Sequence, residues 1–441
     1  MSKPAGQPPA FVLAVKNVLD RPLASYQIVL GTTGLLLGIG LIMVLSASSV
    51  HGIMVYDNSY YIVIRQVIFA VLGVIAFFVC LRMPLARIRM FVRPVLWIVF
   101  ALIALTFIPG VGKEVNGNRN WLPLFAGFNL QPSEFAKLAV VLWIGDHYTR
   151  RHKFLSTPKN ILMPTLLVAG GVAAMVVAQK DLGTALVLFA VIVGLMWVAG
   201  LPGKFMGAVM AALGVVLVFF IATAPHRVAR LLSFVDPLAD PENSGYQSIK
   251  AMMGFATGGF WGVGLGGSRQ KWGALPEAHT DFIMAVIGEE LGLAGSLVII
   301  SLFLVLGFAG FRIAMRSRDR FARYVAAGIT IWLMSQAMVN IGMVLGLLPV
   351  IGIPLPLISY GGSSLMITLA ALGILANCAT TEPGAARALT ISRRSTRRAT
   401  RKAAKAKAPA GTTPGRVPGR KTPAAPARAP RRPAPVGSRG R

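Results

Sequence analysis

The stretch from Leu275 to Gly292, LPEAHTDFIMAVIGEELG, sets four acids and a histidine (Glu277, His279, Asp281, Glu289 and Glu290) directly ahead of the apolar run Leu291 to Phe311. The whole chain holds only 15 acids in 441 residues, so this is a concentration of charge. Charge at a membrane boundary is costly, and a cluster there points to a functional site. Asp281 has two readings. A short polar side chain ahead of a helix suits an N-cap, and a carboxylate suits the positive end of the helix dipole. Thr280 fills the cap position better than Asp281 does. Held in a partly apolar pocket, Asp281 is instead a general base, its pKa lifted by burial from about 3.9 towards a useful value. A positioned base contributes about 10²–10⁴-fold in rate. Glu277 and His279 stand as neighbours on the substrate side. Glu289 and Glu290 read as packing groups, paired with a basic residue or backbone groups of a neighbouring helix.

Other polar residues gather at the same kind of boundary. Glu134 and Lys137, in Gln131-Pro132-Ser133-Glu134-Phe135-Ala136-Lys137, follow a proline suited to a helix first turn. Their i, i+3 spacing puts them on one face, either as a self-satisfying ion pair or as a polar floor for an anionic lipid headgroup. Asp181 caps the helix that begins at Leu182, or lines a substrate site. Arg119 with Trp121 binds phosphate or sugar, or sits at the interface as an aromatic belt does. Arg65 snorkels from an apolar helix end, beside Gln66. Ser359, Gly361, Gly362 and Ser363, in Ser359-Tyr360-Gly361-Gly362-Ser363-Ser364, form a tight helix entry or one wall of a groove for a lipid-linked substrate. The glycine-rich run from Gly254 to Gly267 lacks the G-K-[ST] ending of a phosphate loop and reads as a flexible or re-entrant segment.

These residues need a scaffold, and the composition supplies one. Hydrophobic residues are 55% of the chain and charged residues 13%, which excludes an ordinary soluble domain. A bilayer helix needs about 20 apolar residues, and Ala24 to Tyr56, Leu182 to Gly203 and Tyr324 to Thr381 contain no Asp, Glu, Lys or Arg. The runs are continuous rather than alternating, which argues against a transmembrane barrel. The expected fold class is an all-α integral membrane protein of about ten transmembrane helices, at 27–49, 62–81, 93–110, 132–149, 161–178, 182–201, 205–224, 283–311, 324–346 and 363–380. The eighth is long, and its first part is expected to lie partly exposed at the surface. Lys and Arg collect on one side: Arg82, Arg87, Arg89 and Arg93; Arg150, Arg151, Lys153 and Lys159; Lys204; Arg312, Arg316, Arg318, Arg320 and Arg323. The positive-inside rule makes that side cytoplasmic, with both termini. The acids then face outward, and the largest extracytoplasmic loop, 225–280, joins spans seven and eight. The first apolar run is too long for a signal peptide and reads as a retained span. Cys80 and Cys378 both fall near cytoplasmic helix ends, so neither a disulfide framework nor a metal site is expected of them.

Three regions follow: a cytoplasmic segment 1–24, a ten-span membrane domain 25–382 and a basic tail 383–441. The tail holds 17 Lys or Arg and no acid, and is expected to be disordered. It reads as a tether to anionic membrane lipids of the inner leaflet, at about 1 kcal/mol per basic residue near the surface, or as a dock for an acidic cytoplasmic partner. Nucleic acid is not expected as a partner.

Three stretches, Asn118 to Lys137, Leu275 to Gly292 and Leu348 to Ser364, together resemble the SEDS family (shape, elongation, division and sporulation). The turn Gln179 to Thr184 resembles the family's Q-P-D-L-G-T, with Lys180 in place of the proline. The resemblance covers roughly residues 25 to 380, leaving out the tail. It implies a ten-span helical fold and a peptidoglycan glycosyltransferase that polymerises lipid II at the outer face of the cytoplasmic (inner) membrane. It implies a complex with a class B penicillin-binding protein, a transpeptidase, among other divisome proteins. Asp281 matches the family's catalytic aspartate. Ala278, Lys271-Trp272 and the basic tail look more like the family's division type (FtsW-like) than its elongation type (RodA-like), and so imply cell wall synthesis at the division septum. Mg²⁺ or Mn²⁺ is the cofactor expectation, with metal ligands unassigned and no organic cofactor. Arg119, Lys137 or a divalent cation are the choices for stabilising the leaving pyrophosphate. Two rivals remain at this stage: a lipid II flippase using Glu134 and Lys137, and a divisome scaffold acting through its helices and tail.

Overall fold

The structure, a computed structural model, describes residues 20–115, 118–123, 129–223, 225–243, 245–273, 275–385 and 388. Almost all of the basic tail, and most of the N-terminal segment, lies outside the described residues. In chain order the helices are α1 (Ala24–Tyr56), α2 (Tyr61–Arg82), α3 (Leu85–Thr106), α4 (Pro132–Arg150), α5 (Pro158–Ala178), α6 (Leu182–Val198), α7 (Gly203–Ala222), α8 (Pro225–Val235), α9 (Tyr246–Gly258), α10 (Ile283–Glu290), α11 (Gly292–Arg316), α12 (Arg320–Val344) and α13 (Gly362–Ala379). Eight of them, α1, α2, α3, α5, α7, α11, α12 and α13, are long and apolar enough to cross a membrane. This is an integral membrane protein built on helices. Helix α6, with 17 residues, is apolar but short, and α4 carries Glu134, Lys137 and Asp146 in its buried face.

Buried area orders the bundle. Helix α13 is buried almost throughout and packs along α2, whereas α7 buries only Val209 and lies at the periphery. A lipid-solvated bundle gains no hydrophobic drive from helix pairing, so close packing through small residues takes its place. Gly73 shows the fit: a Cβ there would stand 2.5 Å from Leu369 Cδ1 of α13. Pro164 and a π-helical turn at Leu166–Gly170 interrupt α5, an identifiable cause for an irregular helix.

Three expectations need correction. The third span begins at Leu85 rather than 93. Arg87, Arg89 and Arg93 therefore ride on the helix, where Arg89 Nε meets Asp146 Oδ1 of α4 at 3.0 Å and its guanidinium covers the Phe321 ring. A satisfied cation does not have to end an apolar helix. The eighth span is two helices. Its first part, α10, is fully buried rather than surface-exposed. It stops at Leu291, and Gly292 takes φ +67°, a left-handed conformation that glycine adopts without strain. The glycine run fills the break. Val263 and Gly264 donate to the carbonyls of Glu289 and Glu290, and Leu293 and Ala294 donate to those of Gly259 and Phe260. Backbone groups freed inside a membrane protein need such partners. The third departure is a small sheet of order β1-β2-β3 in the loop after α3: β1 (Lys113–Val115), β2 (Asn118–Pro123) and β3 (Asn129–Leu130). It is antiparallel, with Lys113 opposite Trp121 and Leu122 opposite Leu130.

Candidate functional site

Asp281 lies in the turns ahead of α10, and neither it nor Thr280 caps that helix. The N-cap position is Phe282, with no side-chain cap bond, and Thr280 Oγ1 turns back to the Glu277 carbonyl at 3.1 Å and its Oε2 at 2.6 Å. The Asp281 carboxyl receives no protein hydrogen bond among the described residues. Its Oδ2 sits against Gly352, where a Cβ would come within 3.2 Å. Gly352 has φ +78°, so a side chain there would be strained as well as crowded. Burial is the main reason the Asp281 carboxyl is pushed up to about 7. The charges of Glu277 and Asp181 push the same way, and that of Arg230 opposes them. A carboxyl poised there can accept a proton near neutral pH.

His279 is pushed the other way, down to about 4, chiefly by burial, with His51 adding and Glu277 opposing. Its ring centroid lies 5.2 Å from that of His51 and 5.7 Å from that of Tyr360. Its carbonyl accepts the Tyr360 N–H at 2.9 Å, which joins the Asp281 loop to the segment leading into α13. Gln66 holds that segment from α2: its Nε2 donates to the Ser359 carbonyl and its Oε1 accepts from the Gly361 N–H, both at 3.2 Å. Ser359 Oγ accepts from the Leu355 N–H at 2.8 Å. Gly362 lies under the Phe69 ring, which a Cβ would meet at 2.5 Å. These small residues thus make a close-packed helix entry.

Asp181 is a hub. It caps α6 by accepting from the Thr184 N–H at 3.0 Å. Its Oδ2 also gathers Asn120 Nδ2 at 3.0 Å, Gln131 Nε2 at 2.9 Å, Ser133 Oγ at 3.1 Å and Thr184 Oγ1 at 2.9 Å. One carboxylate therefore ties β2, the start of α4 and α6 together. Ser363 Oγ accepts the Gln131 N–H at 3.4 Å, bringing α13 to the same place.

Glu134 and Lys137 form a closed pair. Lys137 Nζ donates to Glu134 Oε1 at 2.7 Å and to Gln336 Oε1 at 2.9 Å, and both charged side chains are buried. This is the ion-pair reading rather than an open floor for a headgroup. Arg119 stands apart, 3.4 Å from Glu114, in a cavity of about 200 Å³ that Phe107, Gln179 and Lys180 also line. Glu289 and Glu290 are structural, as their packing expectation holds. Glu289 accepts from Ser268 Oγ at 2.5 Å and from the N–H groups of Arg269 and Gln270. Glu290 accepts from Lys271 Nζ at 3.2 Å and lies 2.7 Å from Ser46 Oγ of α1. Two residues went unnoticed in the sequence. Arg230 is exposed on α8, a helix with opposed apolar and basic faces that was legible in Pro225–Val235. Asn340 of α12 sits in a run without a single charge, which gave no signal.

Among the described residues no three or more His, Cys, Asp or Glu side chains converge as metal ligands.

The chain is 40% identical over 375 residues to the probable peptidoglycan glycosyltransferase FtsW of Mycobacterium tuberculosis (strain ATCC 25618 / H37Rv), covering 85% of this chain and 71% of that one. It is 42% identical over 352 residues to the protein of the same name from Geobacter metallireducens, covering 78% of this chain and 92% of that one. The stage V sporulation protein E of Bacillus subtilis is 40% identical over 348 residues, with 78% and 94% covered. A chain of a solved peptidoglycan synthase complex that coordinates polymerization and crosslinking superposes with TM-score 0.66 at 27% identity, covering 80% of this chain and 96% of its own. Rod shape determining protein RodA of Thermus thermophilus superposes with TM-score 0.58 at 25% identity, over 80% and 96%. Residues 26–383 match the FtsW/RodA/SpoVE family of cell cycle proteins, and the chain belongs to that family.

Proposed function

We propose that this chain is a peptidoglycan glycosyltransferase of septal cell wall synthesis that polymerises lipid II into β-1,4 glycan strands, with Asp281 as its general base. One observation carries the assignment: among the described residues the Asp281 carboxyl accepts no protein hydrogen bond, it lies against Gly352, and burial lifts it to about 7. Glu134 and Lys137 neutralise each other, Asp181 is surrounded by donors, and Glu289 and Glu290 are held by neighbouring groups.

In the reaction, the 4-hydroxyl of a terminal GlcNAc attacks the anomeric carbon of a MurNAc that carries undecaprenyl pyrophosphate. The C–O bond to pyrophosphate breaks as the new glycosidic bond forms, and Asp281 takes the hydroxyl proton. The configuration inverts in one displacement, so one base suffices. Negative charge grows on the departing pyrophosphate and needs an electrostatic partner. Lys137 is committed to Glu134, and Arg119 pairs with Glu114. Arg230, exposed and close enough for its charge to act on Asp281, is the better-placed cation. A requirement for Mg²⁺ or Mn²⁺ belongs to this reading, although Asp281 and Glu277 alone do not make a metal cage.

The ten-span topology adds α4 and α6 to the eight long helices. Both termini and the Arg82, Arg150 and Arg316 ends then face the cytoplasm, and Asp281 faces outward, in keeping with the positive-inside rule. The partner is a class B penicillin-binding protein, since a synthase complex that couples polymerization to crosslinking is among the superposing structures. The basic tail tethers the chain to anionic lipids. The flippase reading loses support from the closed Glu134–Lys137 pair. The test is direct: the purified chain with its transpeptidase makes glycan strands from lipid II, and liposomes carrying it move no headgroups beyond the background rate. Headgroup movement without strands would reverse the reading.

A further inference from the structure

Helix α12 carries Trp332, Gln336 and Asn340 at four-residue spacing, which aligns them on one buried stripe. Trp332 Nε1 and Lys137 Nζ both donate to Gln336 Oε1 at 2.9 Å. Gln336 Nε2 in turn donates to the Pro354 carbonyl at 2.9 Å. One turn further along, Asn340 Nδ2 donates to the Ile353 carbonyl at 2.6 Å and to the Asp281 carbonyl at 2.8 Å. Two carbonyls oblige the amide to present its nitrogen. Its Oδ1 is buried and finds no partner. A buried acceptor without a partner is unfavourable, so the donor half of this amide is what the site uses.

We propose that Asn340 is a positioning residue for the reaction: its amide clamps the Asp281 and Ile353 carbonyls together and so holds the Asp281 carboxyl over Gly352. This rests on Asp281 being the base. Asp281 precedes α10, in a turn closed by the Phe282 N–H on the Glu277 carbonyl rather than in the helix itself. Gly352 is its contact on the facing segment, and Ile353 is the next residue. The same side chain therefore fixes both partners of the contact, and it touches neither reacting atom. The charged and titratable groups that face the carboxyl are Glu277 in the same loop, Asp181 at the start of α6 and Arg230 on α8; none of them lies on α12 with Asn340.

The test compares the parent chain, Asn340→Leu, Asn340→Ser and Asp281→Asn, each in complex with its transpeptidase and supplied with lipid II. Leucine shares asparagine's branched skeleton, is bulkier and has no donor; serine is smaller and keeps one donor. Turnover is followed against pH, and the folded fraction by thermal unfolding. Asn340→Leu is expected to lower kcat about 10–100-fold, because a misplacement of about 1 Å costs on that order, with KM within about threefold of the parent. The acidic limb of its kcat profile moves to lower pH, because a released carboxyl gains water. Asn340→Ser shows a smaller loss with the limb moved the same way, and it carries the test if the leucine variant does not fold. Parent-like kcat, or a loss that tracks the folded fraction with the limb unmoved, overturns the clamp. Parent-like turnover in Asp281→Asn overturns the base assignment instead. A dead Asp281→Asn beside parent-like Asn340 variants overturns the clamp alone.

Discussion

At the scale of single residues, the chemistry turns on how differently neighbouring carboxyls are treated. Asp181 is saturated with donors, while Asp281 is left open and lifted to about 7. A base must be deprotonated to work, so turnover should rise with pH through about 7 and level off above it. Arg230 is the charge that holds this value down. Arg230→Ala should therefore move the acidic limb of the kcat profile to higher pH and lower kcat/KM; an unmoved limb would separate Arg230 from the site. The same lift has a cost in stability. Asp281 has an ordinary value of 3.8, well below its folded one. Below about 4 the group is protonated in both states and contributes nothing. As pH rises from there to about 7 the unfolded chain ionises first, and the folded state loses stability until both are ionised. Asp281→Asn should thus melt higher than the parent at pH 8, with the difference shrinking below pH 7 and absent below about pH 4. Asp281 stood out in the sequence as a candidate because acids are scarce in this chain. Asn340 was not, because a neutral amide within an apolar run looks like any other polar residue in a membrane helix.

At the scale of elements, the outcome follows what satisfies each charge and each free backbone group. Arg89 looked like the end of a loop, yet Asp146 lets it sit on α3. The split between α10 and α11 was hidden because no proline interrupts 283–311 and Gly292 is one of several glycines in that run. Its signal lay elsewhere, in the glycine run that supplies the missing backbone partners. The Glu134–Lys137 pair, one of two readings the sequence left open, and the packing roles of Glu289 and Glu290 follow from the need to pair a buried charge. Lys271 is buried against Glu290. Lys271→Ala should destabilise the fold by about 3 kcal/mol, because it leaves a buried carboxylate short of its cation. Lys271→Met combined with Glu290→Leu should recover much of that loss, because a well-packed apolar pair replaces both charges. Thermal unfolding in detergent reads both variants, and equal loss in the two would argue against the pair.

At the scale of the whole molecule, one end gathers arginines at the ends of α2, α4 and α11, and the other gathers Asp181, His279 and Asp281. The long apolar runs made the membrane class plain and placed a span at 132–149, where α4 runs with its charges buried inside the bundle. If the arginine end is cytoplasmic, a cysteine placed at exposed Trp272 should react with an impermeant thiol reagent added to intact cells, and one at Arg318 should not. The reverse pattern would invert the topology. With the intact chain bound to its transpeptidase, polymerisation of lipid II by the parent and by Asp281→Asn decides whether Asp281 is the base. The parent should give glycan strands and the variant a loss of about 10²–10⁴-fold, with complex formation retained; strands made by Asp281→Asn at the parent rate would show that another group takes the proton.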